Sequence, residues 1–174
     1  MKILLFGKNG QVGRRLLSCL LPIGTVIAYG SNDINFMELE KLRSCIKLHK
    51  PDIIINAAAY TNVDKAELEI TEAFTINAEA VKVIAEEATA IGALLIHYSS
   101  EYVFDGTKST FYTELDTPNP VNIYGKSKLA GDNYIASIAS KYIIFRTSWV
   151  YDSYGKNFAK TILTLAKDKD ILKI

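Results

Sequence analysis

The chain opens with MKILLFGKNGQVG, an apolar run cut off by glycine, and that start constrains the fold more than anything after it. Lys2 to Phe6 is an aliphatic stretch of strand length, and Gln11 to Leu21 then places Val12, Leu16, Leu17 and Leu20 at helical spacing. The order is strand, tight turn, helix. Gly7, Gly10 and Gly13 give the junction a GxxGxxG pattern, in which backbone can turn tightly, approach a pyrophosphate and present the N–H groups of a helix start to it. A dinucleotide fits this chemistry, although a helix that merely starts after a glycine-rich turn would show the same three glycines.

Strand and helix keep alternating. Thr25 to Tyr29 is a second strand, Met37 to His49 a helix, and Asp52 to Asn56 (DIIIN) a third strand, aliphatic enough to be covered on both faces. A helical region from Thr71 to Ile91 leads to a fourth strand, Ala93 to Tyr98, and then to the irregular stretch Ser99 to Asn122. A helix beginning near Tyr124, a fifth strand at Tyr142 to Phe145, a helix from Asn157 to Ala166 and a strand starting in DILKI complete the pattern. The alternation predicts an α/β domain: a doubly wound parallel sheet with helices on both faces, binding its ligand beyond the carboxyl ends of the strands. Residues 1–174 read as one domain, with no internal repeat or linker.

Composition narrows the partners. With 49% hydrophobic and 22% charged residues the chain is ordinary globular protein, which excludes disorder, collagen and disulfide scaffolds. Its 20 basic and 19 acidic side chains leave no excess positive charge for nucleic acid or an anionic membrane, so a small molecule or protein is expected. No segment approaches the ~18 apolar residues of a membrane span, and a cytoplasmic protein is the default. Cys19 and Cys45 fall in helical stretches without cysteine or histidine at ligand spacing; they read as buried apolar thiols, and no metal site is expected.

Two constellations carry chemistry. The acid that binds the adenosine ribose of NAD about 20 residues past the glycines is missing, since the second strand ends Tyr29, Gly30, Ser31. NADPH, or indifference between NADPH and NADH, follows. Lys8 is placed to reach a ribose phosphate or simply to lie in solvent, and Asp33 and Ile34 to flank the adenine. Tyr124 and Lys128, four apart at a helix start, project from one face, where an ammonium lowers a phenol's pKa for acid catalysis. About one such pair is expected by chance in a chain of this composition, so position decides. The pair opens the helix after the fourth strand, whose carboxyl end carries Ser99 and Ser100. Hydroxyl, phenol and ammonium would then converge for carbonyl reduction.

The blocks GKNGQVG, NAAAYTNVDKAE (Asn56 to Glu67), HYSSEYVFDG (His97 to Gly106), YGKSKLAG (Tyr124 to Gly131) and FRTSWVY (Phe145 to Tyr151) resemble, in order, the extended short-chain dehydrogenase/reductase family. More narrowly they resemble its branch acting on dTDP-4-dehydro-L-rhamnose. The resemblance implies a Rossmann-type fold, and implies that Gly10, Gln11 and Val12 line the cofactor phosphates beside Gly7 and Gly13. Asp33 and Ile34 would hold the adenosine end, and Ala59, Tyr60 and Thr61 the nicotinamide side. Tyr124 would donate the proton, Lys128 bind the nicotinamide ribose, and Ser100, where the family usually has threonine, assist. Glu101, in place of an aspartate, and Trp149 would touch the sugar. The implied reaction is hydride transfer from NADPH or NADH to the keto carbon of dTDP-4-dehydro-L-rhamnose. Another sugar-nucleotide epimerase or dehydratase, or a non-catalytic NADP-binding subunit, would keep much of the same pattern. Family members continue past the position of Ile174, so a C-terminal substrate domain is expected to be absent, and the exposed last strand favours association, a homodimer being one form.

Other residues have plainer readings. His97 reads as a satisfied core histidine, His49 as a helix C-terminal cation, and Asp64, Glu67 and Glu69 as a helix N-terminal acidic cluster. Trp149 is as readily a residue packed on the sheet, and Tyr102 and Phe104 read as loop anchors.

Overall fold

Five short runs of aliphatic residues pair, all parallel, into one sheet of order β2-β1-β3-β4-β5. The computed structural model describes residues 1–155, 157–167 and 171; the strand expected in DILKI lies largely outside them. The strands are β1 (Lys2–Phe6), β2 (Thr25–Tyr29), β3 (Ile53–Asn56), β4 (Leu94–Ser100) and β5 (Tyr142–Thr147). Period-two alternation along β1 sends Leu4 and Phe6 to one face and Ile3 and Leu5 to the other.

The first face receives α2 (Leu39–His49), α5 (Ala80–Ile91) and α6 (Ile123–Ile138), whose Leu42, Ile46, Ile84 and Ile135 are fully buried against Ile54 and Leu95. The second face receives α1 (Gln11–Leu20) through Leu16, Leu17 and Leu20. Helices therefore cover both faces, as the alternation requires for right-handed crossovers. Coverage on the second face is partial, and Ile143 and Phe145 of β5 remain 42% and 46% exposed there.

The helical region expected from Thr71 to Ile91 is unbroken but not regular. A short α3 (Val63–Ala66) precedes α4 (Ile70–Phe74), and a π-helical turn at Thr75–Glu79 then joins α4 to α5. The wider turn aims the buried Asn77 side chain at α6 and at the loop after β3. Of the two cysteines, Cys45 is buried, but Cys19 is exposed: α1 is amphipathic and Cys19 lies off its packed face. The last described helix is α7 (Phe158–Leu165). No helix among the described residues is long and apolar enough to cross a membrane.

Candidate functional site

The order of the strands puts a switch point at the carboxyl ends of β1 and β3, where the chain leaves the sheet in opposite directions. Gly7 follows β1 with φ +87°, and its N–H donates to the Tyr29 carbonyl at 2.8 Å. A Cβ on Gly7 would stand 2.6 Å from the Ala57 carbonyl carbon, and one on Gly13 would collide with the Gly7 carbonyl oxygen. Glycine is thus required at both places by close approach of backbone to backbone. Gly10 stands at the N-cap of α1 and brings no side-chain acceptor, so N–H groups of the first turn are left for an anion. Beside them lies a cleft of about 290 Å³ lined by Gly7, Gly10, Ile34, Ala59 and Thr61, among others. An uncapped helix start against a turn closed to side chains fits the pyrophosphate of a dinucleotide.

Other expected cofactor residues are placed less directly. Asp33 accepts from the Gly30 N–H at 2.8 Å and pairs with Lys8 at 2.7 Å, so Lys8 is an ion-pair partner rather than a solvated loop lysine. The Lys8 hydrogen bond, followed by that of Gly30, holds the Asp33 carboxyl below its usual range. Gln11 turns its amide to the Val150 carbonyl at 3.4 Å and accepts from Asn157 at 3.1 Å. Val12 is half-buried beside it. Tyr60 donates its hydroxyl to Glu69 at 2.6 Å, and burial, with the Glu69 bond second, pushes that phenol up to about 12. The Tyr60 backbone is held by the Asn77 amide at 2.9 and 3.0 Å, and Tyr60 lines neither cleft, unlike its neighbours Ala59 and Thr61.

A second cleft, of about 300 Å³, is lined by Ser100, Glu101, Tyr124 and Trp149 and meets the first at Thr61. Asn122 caps α6 by accepting from the Gly125 N–H at 2.7 Å, and Glu67 accepts from Ile123 N at 2.8 Å. Those two bonds fix the first turn of α6, and Tyr124 with it. The Tyr124 ring, 9% exposed, meets Tyr102 edge-on at 5.5 Å. Burial raises its pKa, with Ser100 opposing, so the phenol keeps its proton at neutral pH. Ser100 donates to Glu101 at 3.0 Å and accepts from Tyr102 N at 3.2 Å. Trp149 is 66% exposed at φ +49°, with its ring 4.6 Å from that of Phe158, so it is not packed on the sheet. One turn past Tyr124, Lys128 is 1% exposed and donates to the Tyr98 carbonyl at 2.7 Å. Burial pulls its pKa down to about 8, with the Asp132 charge opposing.

Several partners were not visible in the sequence. His97 is the core histidine expected, yet its Nε2 lies 3.2 Å from Lys128 Nζ. Glu67 and Glu69 do not act as one acidic cluster: Glu67 serves α6 and Glu69 binds Tyr60 and Lys65. His49 ends α2 as expected, with its ring on the Tyr29 hydroxyl at 2.6 Å.

Fold and site together define a Rossmann-type α/β protein with a buried tyrosine and a buried lysine one turn apart at the start of α6. Comparison with known proteins narrows this. The RmlD substrate binding domain matches residues 1–174, and the chain belongs to that family. It is 46% identical to the dTDP-4-dehydrorhamnose reductase of Escherichia coli K12 over 178 residues, covering 100% of this chain and 60% of the relative. Among solved structures, the dTDP-4-dehydrorhamnose reductase ortholog of Clostridium acetobutylicum superposes with a TM-score of 0.93 at 39% identity, over 98% of this chain and 61% of that one. The Bacillus anthracis enzyme, solved in complex with NADP, gives 0.91 at 37% identity over 97% and 60%. The chain spans about 60% of the length of the curated relatives it matches.

Proposed function

We propose that this chain forms the cofactor-binding domain and catalytic centre of an NADPH- or NADH-dependent reductase that converts dTDP-4-dehydro-L-rhamnose to dTDP-L-rhamnose. One observation carries the reading: the cleft lined by Tyr124 and Ser100 meets the cleft of the glycine turn at Thr61. A group reduced in one is thereby beside a cofactor held in the other. The named function of relatives at 46% and 45% identity supports the substrate, and the NADP complex of a similar structure supports the cofactor.

Gly7, Gly10, Gln11, Val12 and Gly13 would hold the cofactor phosphates, Asp33 and Ile34 the adenosine, and Ala59, Thr61 and the Tyr60 backbone the nicotinamide side. A nicotinamide bound there supplies the hydride. Tyr124 gives its proton to the oxygen that becomes the new hydroxyl, and its raised pKa means that the proton is present at neutral pH. Ser100 donates a hydrogen bond to the same oxygen, Lys128 holds the nicotinamide ribose, and Glu101 and Trp149 face the sugar. Copies associate through the exposed side of β5, a homodimer being the simplest form, and the reaction belongs in the cytoplasm.

The test is oxidation of NADPH, then NADH, by the purified chain with dTDP-4-dehydro-L-rhamnose generated in situ and cofactor binding followed in parallel. Turnover to dTDP-L-rhamnose is expected. Binding of cofactor without turnover, in this chain and in one carrying the rest of its relatives' length, overturns the reading in favour of a non-catalytic cofactor domain. Epimerised or dehydrated product would replace reduction by those reactions.

A further inference from the structure

Behind Lys128, the buried side of α6 meets a hydrogen-bond network of His97 and Asn56 to which the reaction above gives no role. Asn56 Nδ2 lies 3.1 Å from His97 Nδ1, and His97 Nε2 lies 3.2 Å from Lys128 Nζ. Asn56 and His97 are completely buried. The orientation of Asn56 is decided at its other end: the Ala58 backbone N–H, which can only donate, meets Asn56 Oδ1 at 3.1 Å. The amide nitrogen therefore faces the imidazole, and because that nitrogen only donates, His97 Nδ1 accepts. A neutral imidazole that accepts at Nδ1 carries its proton on Nε2. That N–H points at Lys128.

An ammonium cannot accept it, whereas a neutral amine accepts from His97 and still donates to the Tyr98 carbonyl at 2.7 Å. When Lys128 is charged, the His97 N–H needs another acceptor. Asp132 Oδ1 lies 3.9 Å from Nε2, and it is the one buried side-chain polar atom among the described residues without a hydrogen-bond partner. Its twin, Oδ2, accepts from Ser99 at 2.8 Å and faces Arg146 at 3.5 Å.

We propose that His97 is a positioning residue for Lys128: fixed by Asn56 as the Nε2–H tautomer, it opposes the ammonium form of the lysine, and Asp132 Oδ1 receives its N–H whenever Lys128 is charged. The inference rests on Lys128 belonging to the reductase site. The groups facing this lysine are His97 and the Tyr98 carbonyl from β4 and the Asp132 charge from its own helix, with Arg146 of β5 behind Asp132. Burial, with the Lys128 charge second, holds His97 far below its ordinary pKa, so the ring is neutral across the working range.

The chain contains one other histidine, His49, which makes the measurement tractable. Long-range ¹H–¹⁵N correlation on the labelled chain reads the His97 tautomer, and the Lys128 ε-carbon signal reads its titration. The proton is expected on Nε2. Asn56→Ala removes the donor at Nδ1, lets the ring place its proton there and turn a lone pair to the lysine, and so raises Lys128 proton affinity by about tenfold, one pKa unit; the alkaline limb of the pH–rate profile moves up with it. An Nδ1–H ring in the unaltered chain, or a Lys128 titration unmoved in folded Asn56→Ala, overturns the proposal. The tautomer reading needs no variant, so it decides even where Asn56→Ala fails to fold. Neither signal depends on turnover: an inactive chain with both as expected would sink the reductase reading and leave the network standing.

Discussion

In the proposed reduction the phenol of Tyr124 would release a proton, and it sits in surroundings that hold that proton. Burial raises its pKa, and the lysine one turn away spends one N–H on the Tyr98 carbonyl. The protonated acid is therefore ready before the hydride moves, and its removal is costly. Tyr124→Phe should lower the rate of reduction by about 10² to 10⁴-fold while NADPH binding, followed by fluorescence titration, stays near its original strength; an unchanged rate would show that another group gives the proton. Asn77 tests a neighbouring contact. Its amide serves Tyr60 N, Tyr60 O and Ser127 Oγ at 2.9 to 3.0 Å, so Asn77→Ala should cost about 1–3 kcal/mol in chemical denaturation by leaving buried partners unpaired. The tyrosine and lysine could be read from the chain because their geometry is internal to one helix. Asp132, one turn past Lys128, shares that helix and was open to the same spacing argument, but Asn56 and His97 could not be read, since two separate strands bring them to Lys128 and nothing in the spacing of HYSS or DIIIN records it.

At the scale of elements, the loop between β4 and α6 is gathered on two carboxylates, Asp116, which accepts from Lys108 and Thr113, and Asp105. Asp105 accepts from Asn119 at 2.9 Å, from the Thr107 N–H and hydroxyl at 3.0 and 2.8 Å, and from Tyr112 at 2.8 Å. These bonds, that of Asn119 first, hold its pKa well below the ordinary carboxylate value. A depressed folded pKa gives stability that is present above the unfolded value, about 4, and lost as pH falls through the folded one. Hydrogen-exchange protection across residues 105–119 should therefore fall below about pH 4, and Asp105→Asn should show that weaker protection already at neutral pH. An Asp105→Asn loop as protected as the original would remove the carboxylate from its central place. The main strands and helices were legible because aliphatic runs and amphipathic spacing are local signals. The π turn was not, because apolar residues continue through Thr71 to Ile91 and the extra residue shows only where Asn77 reaches across to Ser127 and Tyr60.

For the whole molecule, the imbalance between the faces matters most. Among the described residues, all five strands and three helices close one side, while Ile143 and Phe145 stand half-open on the other, beyond the reach of α1. An apolar surface on an edge strand invites a second copy. Phe145→Glu should shift the chain toward monomer in sedimentation velocity with little change in melting temperature, because the ring contributes little to the core. Association that persists unaltered would direct attention to another surface.

The strand order also bears on how the chain comes together as it is made. β1 leaves the ribosome first and β2 pairs on one of its edges; β3 then takes the other edge of β1, and β4 and β5 each join the strand before. From β3 onward synthesis and assembly thus run in the same direction across the sheet, each new strand finding a finished template. At every stage the growing edge is showing, and between β4 and β5 it shows longest, while the whole stretch from Glu101 to Lys141 is being threaded. Arrested chains ending in that interval are the ones for which a chaperone would matter most.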